Sequence, residues 1–146
     1  MSTTFSHFGI CVSDLERSVR FYTEGLGFAR AETHDIGDEF ARLMGLESVA
    51  LTSQFLRKET TAIELLAFAE PSPFGERFPR QINQLGLTHL SFRVSDVGEV
   101  AQLLVSLGGS IIEATLTTMD FAESSLEFLY CTDPDGVRIE LMDLGG

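Results

Sequence analysis

The chain has 146 residues, of which 44% are hydrophobic and 22% charged, enough to bury the core of one ordinary globular domain. Acidic residues outnumber basic ones by 22 to 10, which gives a formal net charge of -12. This balance argues against binding to nucleic acid or to an anionic membrane, because both require a basic face.

Cysteine content and the N-terminus indicate the cell compartment. Two cysteines, Cys11 and Cys131, cannot form a disulfide framework and favour a reducing environment. The first residues, MSTTFSHF, lack the basic and apolar regions of a signal peptide, and no stretch approaches the roughly 18 apolar residues of a membrane span. We therefore expect a cytoplasmic protein.

The first predicted element recurs later in the chain. HFGICVSD begins at His7, and HLSFRVSD begins at His89, 82 residues further on. Apolar and polar residues alternate over 5–12 and 88–94, which predicts a strand at each place. Such internal similarity indicates two copies of one structural module.

A helix is predicted after each of these strands. Asp14 and Asp96 stand where an N-cap accepts a hydrogen bond from the free N–H groups of the first helical turn. Glycines stand where each helix should stop, at Gly25, Gly27, Gly108 and Gly109.

Three further segments are predicted between the modules' main strands. Ile36–Met44 resembles a short amphipathic helix, acting either as a surface cap or as a lid over an apolar pocket. Pro71–Pro79 is rich in proline and is interpreted as a linker, and Asp133–Gly136 has the composition of a tight turn. His34 is interpreted as a solvated residue of a polar loop.

Each module is predicted to end in an apolar strand that carries one glutamate, Glu64 in the first and Glu140 in the second. The pattern predicts an α+β fold of two tandem modules, each a strand, a helix and two or three strands. We place the first module at 5–70, the linker at 71–80 and the second module at 85–144, within a single domain.

The repeated histidines and glutamates suggest a metal site. Taken singly, each histidine is well explained as a hydrogen-bonded, half-buried residue, and each glutamate as a residue of the solvent face. Their recurrence at equivalent places favours a joint function, because imidazole nitrogens and carboxylate oxygens suit a divalent ion such as Zn, Ni, Co, Mn or Fe. The predicted ligands are His7, Glu64, His89 and Glu140.

These motifs resemble the vicinal oxygen chelate superfamily, which includes glyoxalase I, methylmalonyl-CoA epimerase, extradiol dioxygenases, and fosfomycin and bleomycin resistance proteins. The resemblance covers residues 5–144 and implies two βαβββ modules that form an open, cup-shaped barrel around a metal. The segments that carry it are His7–Ser18, Phe21-Tyr22, Leu26–Phe28, Ile63–Leu65, Thr88–Leu90, Asp133–Gly136 and Ile139–Leu141.

The resemblance also separates the branches of the superfamily. Glyoxalase I and the epimerase take one metal ligand from each of four strands, which matches the four residues named above. Extradiol dioxygenases and fosfomycin enzymes use two histidines and one carboxylate, so Glu64 would have no counterpart there. Bleomycin-sequestering members generally lack the metal set. The four-ligand branches therefore fit best.

The expected activity is that of a metal-dependent lyase or isomerase. The metal would hold two substrate oxygens while a carboxylate moves the proton on the carbon next to a carbonyl. Similarity to glyoxalase I assigns this proton transfer to Glu140, with Glu64 as a ligand or a second base.

Substrate contacts are predicted on the same strand faces. Arg93 and Arg138 each lie two residues from a metal ligand and would bind an anionic group, unless they pair with a neighbouring carboxylate. Cys11 and Met142 are further candidates, although for Cys11 the favoured interpretation is a small core residue.

Several alternatives stay open at this point. The substrate is expected to be a thioester, a hemithioacetal or an apolar carbonyl compound. Residues 48–52 lack the second acid of the epimerase branch, and the apolar segment 36–57 suggests a bulkier substrate than that of glyoxalase I. An iron-dependent dioxygenase and a drug-sequestering protein are the alternative functions. The resemblance implies a homodimer, with the site inside one chain or across two.

Overall fold

The computed structural model describes residues 1–122 and 124–145. Contacts divide the chain into two compact units, Met1–Gly75 and Glu76–Gly146. Each unit has one sheet, and the predicted α+β class is confirmed. No helix in the described part of the chain is long and apolar enough to cross a membrane.

The first unit contains a four-stranded sheet and two helices. Its elements are β1 (Phe8–Cys11), α1 (Leu15–Arg20), β2 (Ala29–Ile36), α2 (Ala41–Met44), β3 (Ala50–Lys58) and β4 (Thr61–Glu70). A π-helical turn, Phe21–Gly25, extends α1, and a 3-10 turn, Asp38–Phe40, precedes α2. The strand order is β1-β4-β3-β2, with β1 parallel to β4 and the other neighbours antiparallel.

The second unit repeats this plan with two changes among its described residues: it has no counterpart of α2, and its second strand is divided. Its elements are β5 (Leu90–Arg93), α3 (Val97–Ser106), β6 (Ser110–Ile111), β7 (Thr117–Asp120), β8 (Ser125–Thr132) and β9 (Arg138–Asp143). The order is β5-β9-β8-β6, and β7 also pairs with β8. A 3-10 turn, Glu113–Thr115, divides into β6 and β7 what the first unit has as a single strand.

The predicted helix starts are confirmed. Oδ1 of Asp14 accepts a hydrogen bond from the N–H of Arg17 at 3.0 Å. Oδ1 of Asp96 accepts one from the N–H of Glu99 at 2.7 Å. Each aspartate thereby satisfies a backbone donor that the helix itself leaves unpaired.

The predicted turn at Asp133–Gly136 is also confirmed. The N–H of Gly136 donates to the carbonyl of Asp133 at 3.1 Å, and Gly136 has a φ of +94°. Oδ1 of Asp133 accepts from the N–H groups of Asp135 and Val137 at 2.9 and 2.8 Å, so this buried carboxylate closes the turn from inside.

Two other predictions need adjustment. The helix expected over Ile36–Met44 is shorter, because Ile36 is the last residue of β2 and α2 spans only Ala41–Met44. His34 lies in β2 rather than in a loop, and it is exposed as expected. A run of polar residues hid this strand from a reading based on hydrophobic alternation.

One face of each sheet is buried and the other carries polar groups. Strand alternation places the buried side chains on the face that α1 or α3 covers. These are Ile10, Val12, Leu56, Ile63 and Leu65 in the first unit, and Leu129, Cys131, Ile139 and Leu141 in the second. His7, Glu64, His89 and Glu140 therefore belong to the opposite faces, which α1 and α3 do not cover.

Candidate metal centre

The first histidine–glutamate pair joins the start of β1 to β4. Gly9 and Glu64 lie side by side in the parallel register of these strands. His7 is two residues before Gly9, so its side chain points to the face of Glu64. Nε2 of His7 lies 3.0 Å from Oε2 of Glu64, with side-chain exposures of 32% and 19%, so a ligand can reach the pair.

The second unit forms the same pair between β5 and β9. Ser91 lies beside Glu140 in the register, and His89 is two residues before Ser91. Nε2 of His89 lies 3.4 Å from Oε2 of Glu140. Within each unit, therefore, the same two kinds of atom, a histidine Nε2 and a glutamate Oε2, lie at a similar separation.

A hydroxyl group holds the other nitrogen of each imidazole ring. Oγ of Ser6 lies 2.8 Å from Nδ1 of His7, and Oγ1 of Thr88 lies 2.9 Å from Nδ1 of His89. A partner at Nδ1 fixes the ring so that Nε2 is turned to the carboxylate. Sequence analysis missed this pair, although a hydroxyl residue immediately before each repeated histidine was a readable signal.

The spacing of each pair fits two neighbouring ligands of one ion. Donors bound at about 2.1 Å lie about 3.0 Å apart at a right angle and about 3.4 Å apart at a tetrahedral angle. The observed separations are 3.0 and 3.4 Å. Over residues 1–122 and 124–145, no three His, Cys, Asp or Glu side chains form a metal-binding group. Among the described residues, the structure therefore shows the predicted ligands as two pairs, His7 with Glu64 and His89 with Glu140, and not as one group of four.

A serine on a neighbouring strand binds each glutamate, from the antiparallel neighbour in the first unit and from the parallel neighbour in the second. Ser53 in β3 donates to Oε1 of Glu64 at 2.5 Å. Ser91 in β5 donates to Oε2 of Glu140 at 2.6 Å. Ser53 is fully buried and Ser91 is exposed. Neither serine was predicted, because only the strand register shows which residue lies beside a given glutamate.

An aromatic residue stands opposite each glutamate on the antiparallel neighbour. Phe55 pairs with Glu64, and its ring centroid lies 5.1 Å from that of His7 and 6.2 Å from that of His34. Tyr130 pairs with Glu140, and its ring lies 5.5 Å from that of His89. The repeat therefore has a phenyl ring in one unit where the other has a phenol.

The phenol of Tyr130 is an uncharged donor beside Glu140. Burial raises its pKa above the ordinary value of 10.0, and the negative charge of Glu140 raises the pKa further, while Arg138 opposes this. The phenol therefore keeps its proton at neutral pH. A concavity at this place is lined by Thr115, Thr117, Phe128, Leu129, Tyr130 and Glu140.

The predicted substrate-binding residues differ in their surroundings. Arg93 is exposed at the end of β5, beside the partly buried Met142. Arg138 donates through its guanidinium to two backbone carbonyls, those of Thr88 and Arg80. The interpretation of Cys11 as a core residue is wrong, because Cys11 is exposed: it lies next to Leu66 in the register, on the sheet face opposite the buried Ile10.

The second cysteine lies in the core. Cys131 is fully buried, and burial raises the pKa of its thiol to about 11. A thiol that stays protonated at neutral pH is a poor metal ligand and nucleophile. Cys131 is therefore not a candidate ligand or nucleophile.

An apolar cluster borders the first pair. α2 packs on the end of the sheet, where Ala41, Val49 and Leu51 are buried against a partly buried group made of Ile36, Met44, Leu46, Leu66 and Phe68. Leu66 is two residues from Glu64 and shares its face. Phe40 and Leu43 remain exposed on the outer side of this segment.

Comparisons with known proteins identify the class. A sequence model of the Glyoxalase/Bleomycin resistance protein/Dioxygenase superfamily matches residues 4–141. The chain therefore belongs to this superfamily, and the resemblance stated above is confirmed.

Individual relatives support the fold. The chain is 27% identical over 144 residues to a 2-epi-5-epi-valiolone epimerase from an Actinomyces species, which covers 94% of this chain and 78% of that protein. A glyoxalase family protein from Bacillus cereus is 21% identical, with a TM-score of 0.82 over 100% of this chain and 97% of that one. The trypanothione-dependent glyoxalase I of Leishmania major is 24% identical, with a TM-score of 0.63 over 97% and 87% of the two chains. The two structures support the fold, and the first relative is an epimerase.

Proposed function

We propose that the chain is a metal-dependent isomerase or lyase that removes a proton from the carbon next to a carbonyl group. Its metal ligands would be His7, Glu64, His89 and Glu140, acting together on one divalent ion. The observation that carries this proposal is the duplicated pair, in which a hydroxyl at Nδ1 turns each Nε2 to a glutamate oxygen.

A bound Zn, Ni, Co, Mn or Fe ion would supply Lewis acidity to two substrate oxygens. Glu140 moves the proton, as the resemblance to glyoxalase I implies. Tyr130 supports this assignment, because its protonated phenol lies beside Glu140 and can donate to a substrate oxygen that gains charge. Glu64, held by Ser53 at one oxygen and by His7 at the other, is a ligand with little freedom to move.

Epimerisation is the form of this chemistry that the comparisons favour. The relative from Actinomyces is an epimerase, and the suffix of its substrate's name denotes a ketone. Removing and returning a proton beside a ketone inverts that carbon without any further reactant. A glyoxalase-type lyase acting on a hemithioacetal is the second candidate, supported by the shared fold.

The remaining hypotheses follow from the same site. The apolar cluster beside Glu64 favours a substrate with an apolar portion. An iron dioxygenase would use two histidines and one carboxylate. Such a site disfavours Glu64 as a ligand, although Glu64 is in contact with His7. Sequestration of a cationic drug is a non-catalytic alternative. A cytoplasmic homodimer without nucleic-acid or membrane partners remains part of this proposal.

Metal analysis followed by proton exchange tests the proposal. Protein purified without chelator should hold about one divalent ion per chain after reconstitution. In deuterated water it should then exchange the proton beside the carbonyl of 2-epi-5-epi-valiolone, of a methylglyoxal–thiol hemithioacetal or of an acyl-CoA thioester, and chelation should stop the exchange. Less than roughly a tenth of an equivalent of metal would refute the metal-dependent activity. Oxygen consumption with catechols and no exchange would favour the dioxygenase.

A further inference from the structure

We propose that Arg138 is a positioning residue, which holds the segment before His89 and thereby fixes the His89 imidazole for metal binding. The inference rests on the proposed function, because it assigns His89 as a ligand. It gives Arg138 a different task from substrate binding, which strand alternation suggests for it.

The guanidinium of Arg138 is committed to the backbone of its own unit. Nη1 donates to the carbonyl of Thr88 at 3.2 Å, and Nη2 donates to the carbonyl of Arg80 at 2.5 Å. The same group lies over the ring of Tyr130, 5.5 Å from the centroid. With both terminal nitrogens donating to the chain and one face against an aromatic ring, little of the guanidinium is left for a substrate.

Thr88 connects this guanidinium to the metal ligand. Its carbonyl is held by Arg138, and its Oγ1 lies 2.9 Å from Nδ1 of His89. The His89 ring also contacts Tyr130, the residue under the Arg138 guanidinium. Arg138 therefore acts on His89 from two sides, through the preceding residue and through the ring that both contact.

The segment before Thr88 depends on arginine side chains for its shape. Residues 71–89 form neither helix nor strand, and residues 81–87 are exposed. Arg80 folds back to donate to the carbonyls of Leu85 and Leu87 at 3.2 and 2.9 Å. Because Arg138 binds the carbonyls of Arg80 and Thr88, it closes this loop at both ends.

The turn at Gly136 anchors the start of the same segment. A Cβ on Gly136 would lie 2.5 Å from the carbonyl carbon of Arg77, so only glycine lets the two backbones approach this closely. Arg77 also lies 3.7 Å from the carboxylate of Asp135. The loop thus has fixed contacts at Arg77, Arg80 and Thr88, and the last two are made by Arg138.

Three measurements on Arg138→Gln test this role: cobalt affinity, amide hydrogen exchange and the steady-state constants. Cobalt binding should weaken by about 10-fold or more, the effect typical of losing a residue that orients a ligand. Amides of residues 85–90 should exchange faster, and kcat should fall more than KM rises. Arg20→Gln, an exposed arginine paired with Glu24 on α1, is the matched control and should change none of these.

Variants at Thr88 and Arg138 separate the contacts that connect Arg138 to His89. Thr88→Val removes the hydroxyl beside Nδ1 of His89 but keeps the carbonyl that Arg138 binds. If Arg138→Gln does not fold, Arg138→Lys takes its place, because lysine keeps a single donor group. The double variant should lose less cobalt affinity than the product of the two single losses, because both act through one segment. Unchanged cobalt affinity and exchange with a raised KM would make Arg138 a substrate-binding residue. If wild-type protein binds no metal, the proposed function fails, and the exchange rates still decide whether Arg138 holds the loop.

Discussion

The two units place a histidine and a glutamate alike but surround the glutamates differently. In the first, Ser53 donates to Oε1 of Glu64 while Oε2 faces His7, so both carboxylate oxygens are engaged separately. In the second, Ser91 donates to Oε2 of Glu140, the same oxygen that faces His89. The comparison teaches that a repeated histidine–glutamate pair need not have repeated surroundings. Glu64 has an apolar ring opposite it, whereas Glu140 has the hydroxyl of Tyr130 as a further hydrogen-bond partner.

The aromatic neighbours strengthen this difference. Phe55 opposite Glu64 offers only an apolar wall, while Tyr130 opposite Glu140 offers a protonated hydroxyl. The strand after the helix is also continuous in the first unit and divided in the second. Proton transfer is therefore expected in the second unit.

Replacing each glutamate by glutamine should reveal the largest difference between the two units. Glu140→Gln should lower the rate of solvent deuterium exchange into substrate by about 100- to 10,000-fold, because it removes the proton-moving group. Glu64→Gln should cost metal affinity first, with exchange restored in part at high metal concentration. Equal, metal-reversible losses in both variants would show that the two glutamates share one role.

Removing the phenol should make the second unit resemble the first. Tyr130→Phe is expected to lower kcat by about 10- to 100-fold, the value of a hydrogen bond to a charged group. Phe55→Tyr serves as the mirror variant and should not raise kcat. A Tyr130→Phe enzyme with wild-type kcat would remove the phenol from the reaction.

The two serines should differ in importance. Ser53→Ala is expected to weaken metal affinity by about 10-fold, because its hydroxyl fixes a carboxylate from a buried position. Ser91→Ala should have a smaller effect, since water can replace an exposed hydroxyl. Titration with cobalt measures both, and a larger loss for Ser91→Ala would contradict the comparison.

Helix capping should be the feature in which the units are most alike. Asp14→Ala and Asp96→Ala should each lower the free energy of unfolding by about 1 kcal/mol, because each removes one cap hydrogen bond. Urea unfolding measures this, with metal affinity as the control that the site is intact. A cost in one unit only would mean that the repeat is not equivalent at its helix starts.

Local patterns predicted much of the fold. Asp14, Asp96 and the Asp133–Gly136 turn act within a few residues of themselves, so their geometry could be read directly from the sequence. β2 escaped prediction because its residues are mainly polar and exposed, and the division into β6 and β7 arises from a turn that hydrophobic alternation does not reveal. Likewise, Ser53 and Tyr130 reach the glutamates only through strand pairing.

By itself, the sequence determined that two modules recur, that each has a histidine in its first predicted strand and a glutamate in its last, and that the chain resembles one superfamily. These features depend only on the spacing and alternation of residue types, which can be read directly along the chain. Only the tertiary structure decided which nitrogen of each histidine faces the carboxylate, which serine holds each glutamate and where the guanidinium of Arg138 turns. Those choices depend on hydrogen bonds between segments far apart in the chain, and strand register, rather than local preference, sets them.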